Sequence, residues 1–240
     1  MKDEFSKYVR NHIGIKGLKA DHIVESVKTP YIIEEREMRY TQMDVFSRLL
    51  KDRIIWVSGV VNEHMCDVIQ AQLLFLDNVD HRDISLYLNT PGGSVPHGLG
   101  ILDVMKYVSS DVATMNIGMC ASMGSVLLAG GTKGNRSSLK LSKVMTHQVS
   151  HGTQGNVQDT RISHHEAEKY NFMLFKKLGE FTGKSWKDIL EYSQKDKWFN
   201  SDEAKAYGLI DEVILKEGTG TVTELMEGFS EYEEYIKELR

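Results

Sequence analysis

Three short segments of this 240-residue chain combine small residues, a tight turn and a side chain able to do covalent or acid–base chemistry. In Thr90-Pro91-Gly92-Gly93-Ser94, the glycine pair lets backbone N–H groups approach a substrate closely. In Gly118-Met119-Cys120-Ala121-Ser122-Met123-Gly124, Ser122 opens a helix of small residues, where unpaired N–H groups and the helix dipole favour a developing anion. In Val144-Met145-Thr146-His147-Gln148, His147 ends an apolar strand. A serine hydroxyl is a poor nucleophile until a base takes its proton; histidine has a suitable pKa, and a carboxylate can fix its tautomer. Acyl transfer also needs about two backbone donors at the oxyanion, each worth roughly 2.7–4 kcal/mol of barrier. Taken singly, each segment has an ordinary structural role: a serine that caps a helix, a hydrogen-bonded histidine, a Pro-Gly-Gly turn.

The elements that must position these residues alternate. Met43–Lys51 spaces Val45, Phe46, Leu49 and Leu50 as an amphipathic helix, and Ile54–Val61 is a short β-branched run. Asn62–Asp80 has helical spacing at Met65, Val68, Ile69, Leu73 and Leu76. Ile84–Asn89 predicts a strand, Leu99–Val108 a helix, Val112–Gly118 a strand and Ser122–Ala129 a helix. Such alternation with short turns implies a largely parallel sheet covered by helices, with ligands bound beyond the carboxyl ends of its strands. After Met145 the rhythm changes. Polar, glycine-punctuated residues precede a long helix over Asp159–Thr182 and a second over Ser185–Gln194. Ser201 is expected to cap a short helix that Gly208 ends, and Leu209–Ile214 to close with a strand.

Bulk properties set limits. Apolar content of 41%, charged content of 26% and a net charge of -5 fit a globular α/β domain and give no case for nucleic acid or an anionic membrane. Two cysteines, Cys66 and Cys120, make no disulfide framework, and no apolar run is long enough to span a bilayer, so a cytoplasmic location is expected. Residues 1–28 read as an extension, and 217–240 as an acidic tail with a possible short helix.

The segments FSRLLKDR, LYLNTPGGSV, GMCASMG, VMTHQ and DEAKAYGLID resemble, in order and separation, those of the proteolytic subunits of Clp proteases. The similarity spans about Thr29 to Leu215, with 25 residues from Ser122 to His147 and 49 from His147 to Asp196. The resemblance implies Ser122 as nucleophile, His147 as base, Asp196 as the acid that orients it, and the N–H groups of Gly93 and Met123 as the oxyanion hole. It implies two edges that hold an extended peptide, a strand starting at Gly93-Ser94-Val95 and the segment Ser150–Asn156, with Gly92, Ser94, Val95, Gln148, Ser150 and Gly152 as substrate-binding residues. The implied fold is α/β, a ClpP/crotonase-like spiral of ββα units, over residues 29–216 with a protruding strand–helix handle at about 149–182. The implied assembly is two stacked heptameric rings enclosing a chamber, fed with unfolded polypeptides by a hexameric AAA+ unfoldase. The ATP belongs to that partner; no GxxxxGK[ST] loop occurs here and no cofactor is expected in this subunit. Tyr87 and Tyr107 match an aromatic docking pocket for the unfoldase. For the extension over residues 1–28 the resemblance implies either a propeptide or an axial-gate segment.

The chain departs from the pattern at Gln194-Lys195, where an acidic–Arg pair bridges the rings, at Val149, usually proline, at His151-Gly152, usually paired glycines, and at Ser85, usually aromatic. Other functions are disfavoured by the residues themselves. An α/β-hydrolase has GxSxG and the order Ser, Asp, His, whereas Cys120 stands at the first glycine here and the order is Ser, His, Asp. A crotonase-type acyl-CoA enzyme shares the implied fold without this triad, and an inactive paralogue is expected to have lost Ser or His. Three readings are weaker: Cys120 as a nucleophile, since cysteine is a common small buried residue; His151 as the base, since it lies in a glycine-rich loop; and His164-His165-Glu166 as a metal site, since adjacent helical residues diverge by about 100°.

Overall fold

The computed structural model describes residues 31–36, 39–216 and 220–238; the proposed 1–28 extension lies outside them. The chain divides into two compact units, Met1–Asp52 and Arg53–Arg240. In the first, β1 (Tyr31–Arg36) and β2 (Arg39–Asp44) pair antiparallel and lead into helix α1 (Val45–Lys51). Asp44 caps α1, accepting from the N–H groups of Phe46 and Ser47 at 3.0 Å, so the helix starts two residues later than its apolar spacing suggests. The hairpin has no signature in the charged run Glu34–Arg39, which lacks Gly, Pro or Asn.

The second unit begins with strand β3 (Ile54–Ser58), helix α2 (Glu63–Val79), strand β4 (Ile84–Thr90), helix α3 (Val95–Tyr107), strand β5 (Val112–Ala121) and helix α4 (Met123–Ala129). Strands β6 (Arg136–Leu139) and β7 (Lys143–Thr146) follow, then α5 (Val157–Thr182), α6 (Trp186–Tyr192), β8 (Lys197–Phe199), α7 (Ser201–Tyr207) and β9 (Glu212–Ile214). The sheet runs β3-β4-β5-β6-β9, every pair parallel. The long strand β5 serves two neighbours. Thr114–Asn116 pairs with β6, whereas Met119–Ala121 pairs with β7, which in turn pairs antiparallel with β8. This is the mixed α/β spiral architecture anticipated for the family that the motifs resemble.

Burial alternates along β4, where Ile84, Leu86, Leu88 and Thr90 face the core. Helix α2 buries Cys66, Ile69, Leu73 and Leu76, and α3 buries Ile101, Leu102 and Met105, at helical spacing. All seven residues of α4 are buried, and Leu127 and Leu128 are fully enclosed. Each such leucine contributes about 1.5–3 kcal/mol by leaving water. Two buried arginines tie loops to this core. The Arg53 guanidinium donates to the carbonyls of Leu76, Asp80, Arg82 and Asp83. Arg136 donates to both carboxylate oxygens of Asp211, at 2.6 and 2.8 Å, and to the carbonyls of Ala129 and Phe181.

Several boundaries differ from the sequence expectation. Helix α3 starts at Val95, four residues before Leu99, because Pro96 suits a first turn while Gly98 and Gly100 blur the apolar period. Consequently no strand starts at Gly93-Ser94-Val95: Gly93 forms one bridge with Val61, and Ser94 already occupies the N-cap position. Residues 150–156 likewise form no ladder, having no neighbouring strand among the described residues. Asn200, not Ser201, caps α7, exchanging hydrogen bonds with Glu203; Ser201 instead donates its hydroxyl to the Lys140 carbonyl at 2.6 Å. In the tail, α8 (Val222–Leu225) and α9 (Phe229–Glu238) are separated by Gly228 at φ +82°.

Candidate active site

Sheet register brings the three chemical residues together. In the parallel pair β5–β7, Ala121 lies opposite Met145; in the antiparallel pair β7–β8, Thr146 lies opposite Lys197. One step beyond these partners stand Ser122, His147 and Asp196. His147 Nε2 is 2.8 Å from Ser122 Oγ, and His147 Nδ1 is 3.3 Å from Asp196 Oδ1. A hydroxyl that donates to Nε2 requires the ring proton on Nδ1, facing the carboxylate. Asp196 is 61% exposed, so water moderates its charge, whereas the His147 side chain is 23% exposed and roofs the serine.

Ser122 occupies the N-cap position of α4 without capping it. Its φ of 54° and ψ of -123° form a conformation that non-glycine residues rarely adopt, at a cost of about 1–3 kcal/mol. Neighbouring bonds hold it there. The Ser122 N–H donates to the Met145 carbonyl at 2.9 Å, and the Ser122 carbonyl accepts from the Ser125 N–H at 3.0 Å and its hydroxyl at 2.7 Å. The sharp turn raises Oγ toward the histidine and leaves the N–H of Met123, first residue of α4, without an intrahelical acceptor.

The Pro91-Gly92-Gly93 turn lies directly under this elbow. Thr90 Oγ1 shapes it, donating to the Gly59 carbonyl at 2.6 Å and accepting from the Gly92 N–H at 3.0 Å. A Cβ on Gly92, at φ +87°, would lie 2.5 Å from the Ala121 carbonyl oxygen and 2.7 Å from Ser122 Cβ. At Gly93 a Cβ would collide with the Val61 carbonyl. The bridge to Val61 uses the Gly92 carbonyl and the Ser94 N–H, which leaves the Gly93 N–H out of the ladder.

A cleft of about 240 Å³ opens beside Ser122 and His147. Val126, Leu174, Phe175 and Leu178 form its apolar wall, and Gly93, Val95, Met123, Gln148 and Ser150 also border it. Of the residues expected to bind substrate, Val95, Gln148 and Ser150 therefore line this cleft. Ser94 borders a second cavity of about 340 Å³ with Pro96, His151, Glu166 and Tyr170. Gly92 acts from beneath, through its approach to the serine turn. Gly152 is exposed and lines neither cavity. Leu174, Phe175 and Leu178 of α5 carry no sequence signal as site residues, because an apolar helical stripe reads first as a packing face. Tyr87 sits on β4 opposite Trp56 of β3, with ring centroids 6.3 Å apart, and Tyr107 ends α3 with 79% of its surface exposed. The Cys120 thiol is fully buried, and burial pushes its pKa up, so it is a packing residue. His164 and His165 reach Glu168 at 3.7 and 3.5 Å, and no cluster among the described residues could hold a metal ion.

A helix-start serine paired to a histidine, beside carbonyl-free N–H groups and an apolar cleft on a parallel sheet, defines a serine-hydrolase class of site. The model of the Clp protease family matches residues 35–217. The ATP-dependent Clp protease proteolytic subunit of Bacteroides fragilis is 46% identical over 218 residues, covering 89% of this chain and 99% of that protein. Those of Bacteroides thetaiotaomicron and Porphyromonas gingivalis are each 45% identical over 218 residues, with 99% and 98% of their lengths covered. The chain belongs to the Clp protease family, and with it to the serine endopeptidases.

Proposed function

We propose that the chain is the proteolytic subunit of an ATP-dependent Clp protease in which Ser122, His147 and Asp196 cleave peptide bonds. The observation that carries these roles is the 2.8 Å contact from Ser122 Oγ to His147 Nε2, with Asp196 on the ring's other nitrogen. As Oγ attacks the scissile carbonyl, its proton moves to Nε2. The N–H groups of Gly93 and Met123 hold the oxyanion, each worth roughly 2.7–4 kcal/mol. His147 then gives that proton to the departing amine, and the C–N bond breaks. Water attacks the acyl-serine, leaves its proton on His147, and restores the hydroxyl as the carboxylate product departs. Asp196 holds the imidazole's orientation and stabilises its charged form. No step requires a metal or organic cofactor from this subunit.

The substrate is an extended, unfolded polypeptide that places an apolar side chain in the 240 Å³ cleft and runs past Val95 on one side and Gln148–Ser150 on the other. The alternative of a crotonase-type acyl-CoA enzyme is not favoured: the matched relatives are named as proteolytic subunits and the site carries a Ser-His-Asp series. The subunit assembles into heptameric rings, two of them stacked, and a hexameric AAA+ unfoldase supplies substrate in the cytoplasm. Docking uses Tyr87, with Trp56 beside it, and Tyr107. Nucleic acid and membrane play no part; among the described residues no helix is long and apolar enough to cross a membrane. Ser122→Ala should abolish both peptide hydrolysis and fluorophosphonate labelling while leaving the fold and assembly unchanged. Persistent labelling of that variant would refute the assignment.

A further inference from the structure

The face that α5 turns to the cleft is continuous. Ser163, Glu166, Ala167 and Tyr170 line the second cavity, and Leu174, Phe175 and Leu178 line the first. Asn171 lies between the two sets, four residues after Ala167 and three before Leu174, on the same helical stripe. Its Oδ1 accepts from the Val149 N–H at 3.0 Å. Val149 and Ser150 border both cavities, so this bond fastens the shared rim of the two to the middle of the helix. It is a side-chain bond across 22 residues to a main-chain donor two positions after His147.

We infer that Asn171 is a positioning residue that fixes the substrate edge of the cleft, and so sets which main-chain groups face the peptide and where one side-chain subsite ends and the next begins. The inference rests on the peptidase reading. Consecutive residues of an extended chain turn their N–H and C=O groups to alternate sides. With the Val149 N–H taken toward the helix, the main-chain groups of Gln148 and Ser150 are the ones left for a peptide laid along the opposite side. Without the asparagine carbonyl, the part-buried Val149 N–H loses its acceptor and the rim can turn, which changes the presented edge without touching Ser122, His147 or Asp196.

The test compares Asn171→Ala and Asn171→Asp in the full chain, with a fluorogenic peptide as substrate and a small fluorophosphonate as active-site probe. Asn171→Ala should raise KM roughly three- to tenfold, the range of one lost hydrogen bond. The labelling rate of Ser122, which needs no peptide edge, should stay within about twofold. Asn171→Asp keeps an acceptor oxygen and should restore KM. In a Val149→Pro background no N–H remains, and Asn171→Ala should have no further effect. An unchanged KM in Asn171→Ala, equal effects of Ala and Asp, or a matching fall in labelling would each overturn the inference. Should Val149→Pro fail to fold, the Ala–Asp comparison decides alone. A parent chain that neither hydrolyses peptide nor labels would instead overturn the peptidase reading, which is a distinguishable failure.

Discussion

Gly92→Ala probes how tightly the Pro91-Gly92-Gly93 turn and the Ser122 turn are built on one another. Two effects combine. The residue has φ +87°, and a left-handed alanine costs roughly 1–2 kcal/mol. The new Cβ would also stand 2.5 Å from the Ala121 carbonyl oxygen, 2.7 Å from Ser122 Cβ and 2.8 Å from the Met123 nitrogen, against backbone that cannot rotate away, and such overpacking costs typically about 1–3 kcal/mol. A loss of about 2–5 kcal/mol follows, or roughly 4–20 °C in Tm for a domain of this size, at roughly 2–4 °C per kcal/mol. The kinetic consequence is larger than the structural one suggests, because the displaced atoms belong to the proposed nucleophile and one proposed oxyanion donor. Losing one such donor lowers kcat by about 10²–10³-fold. Gly134→Ala supplies the control: φ is +96° there, but a Cβ meets nothing within 4 Å, so it carries the backbone strain without the clash. Thermal unfolding and steady-state hydrolysis of a fluorogenic peptide should show both variants less stable and only Gly92→Ala inactive. A Gly92→Ala enzyme with kcat/KM within a few-fold of the parent would refute this account of the turn.

Asp196→Asn should lower kcat by about 10²–10⁴-fold, and no further than His147→Ala, because the imidazole loses its orienting charge while the oxyanion donors persist. Asp211→Asn breaks a largely buried pair and leaves Arg136 uncompensated, which should cost roughly 3–5 kcal/mol by urea unfolding. The Arg136 side chain holds the Asp211 carboxyl below the usual carboxylate range, so its stabilisation is complete above the unfolded value of about 4 and lost as pH falls through the folded value. The variant should therefore show a flatter acid limb in a stability–pH profile. Leu127→Ala, at a fully enclosed position of α4, should cost about 2–5 kcal/mol by the same assay.

Much of the candidate site is legible in the sequence because its parts are local. A β-branched run, a glycine turn and a small-residue helix start can be read within a few residues, and Ser122 and His147 sit at the ends of such runs. Asp196 could not be read that way. Lys195-Asp196-Lys197 looks like a solvated charge run, and only the antiparallel register of β7 with the three-residue β8 puts it beside His147. The same limit hid the two arginines. Nothing local marks Arg53 or Arg136 as buried, since their acceptors are carbonyls and a carboxylate brought from elsewhere in the fold. The β1–β2 hairpin has no turn residue to mark it, and two glycines weaken the apolar period at the start of α3. Asn171 was invisible because its partner is a main-chain N–H, which carries no sequence signal.

The dependence of the proposed triad on two separate strand pairings has a consequence during synthesis. Asp196 lies 49 residues after His147, so at about 5–20 residues per second it leaves the ribosome roughly 2–10 s later. Through that interval a nascent chain already holds the proposed nucleophile and base but not the proposed acid, and β7 has no β8 to pair with. With these proposed roles, the hydrolase stays chemically incomplete until most of its own length has been made. Chains stalled before Asp196 should label with fluorophosphonate far more slowly than finished ones.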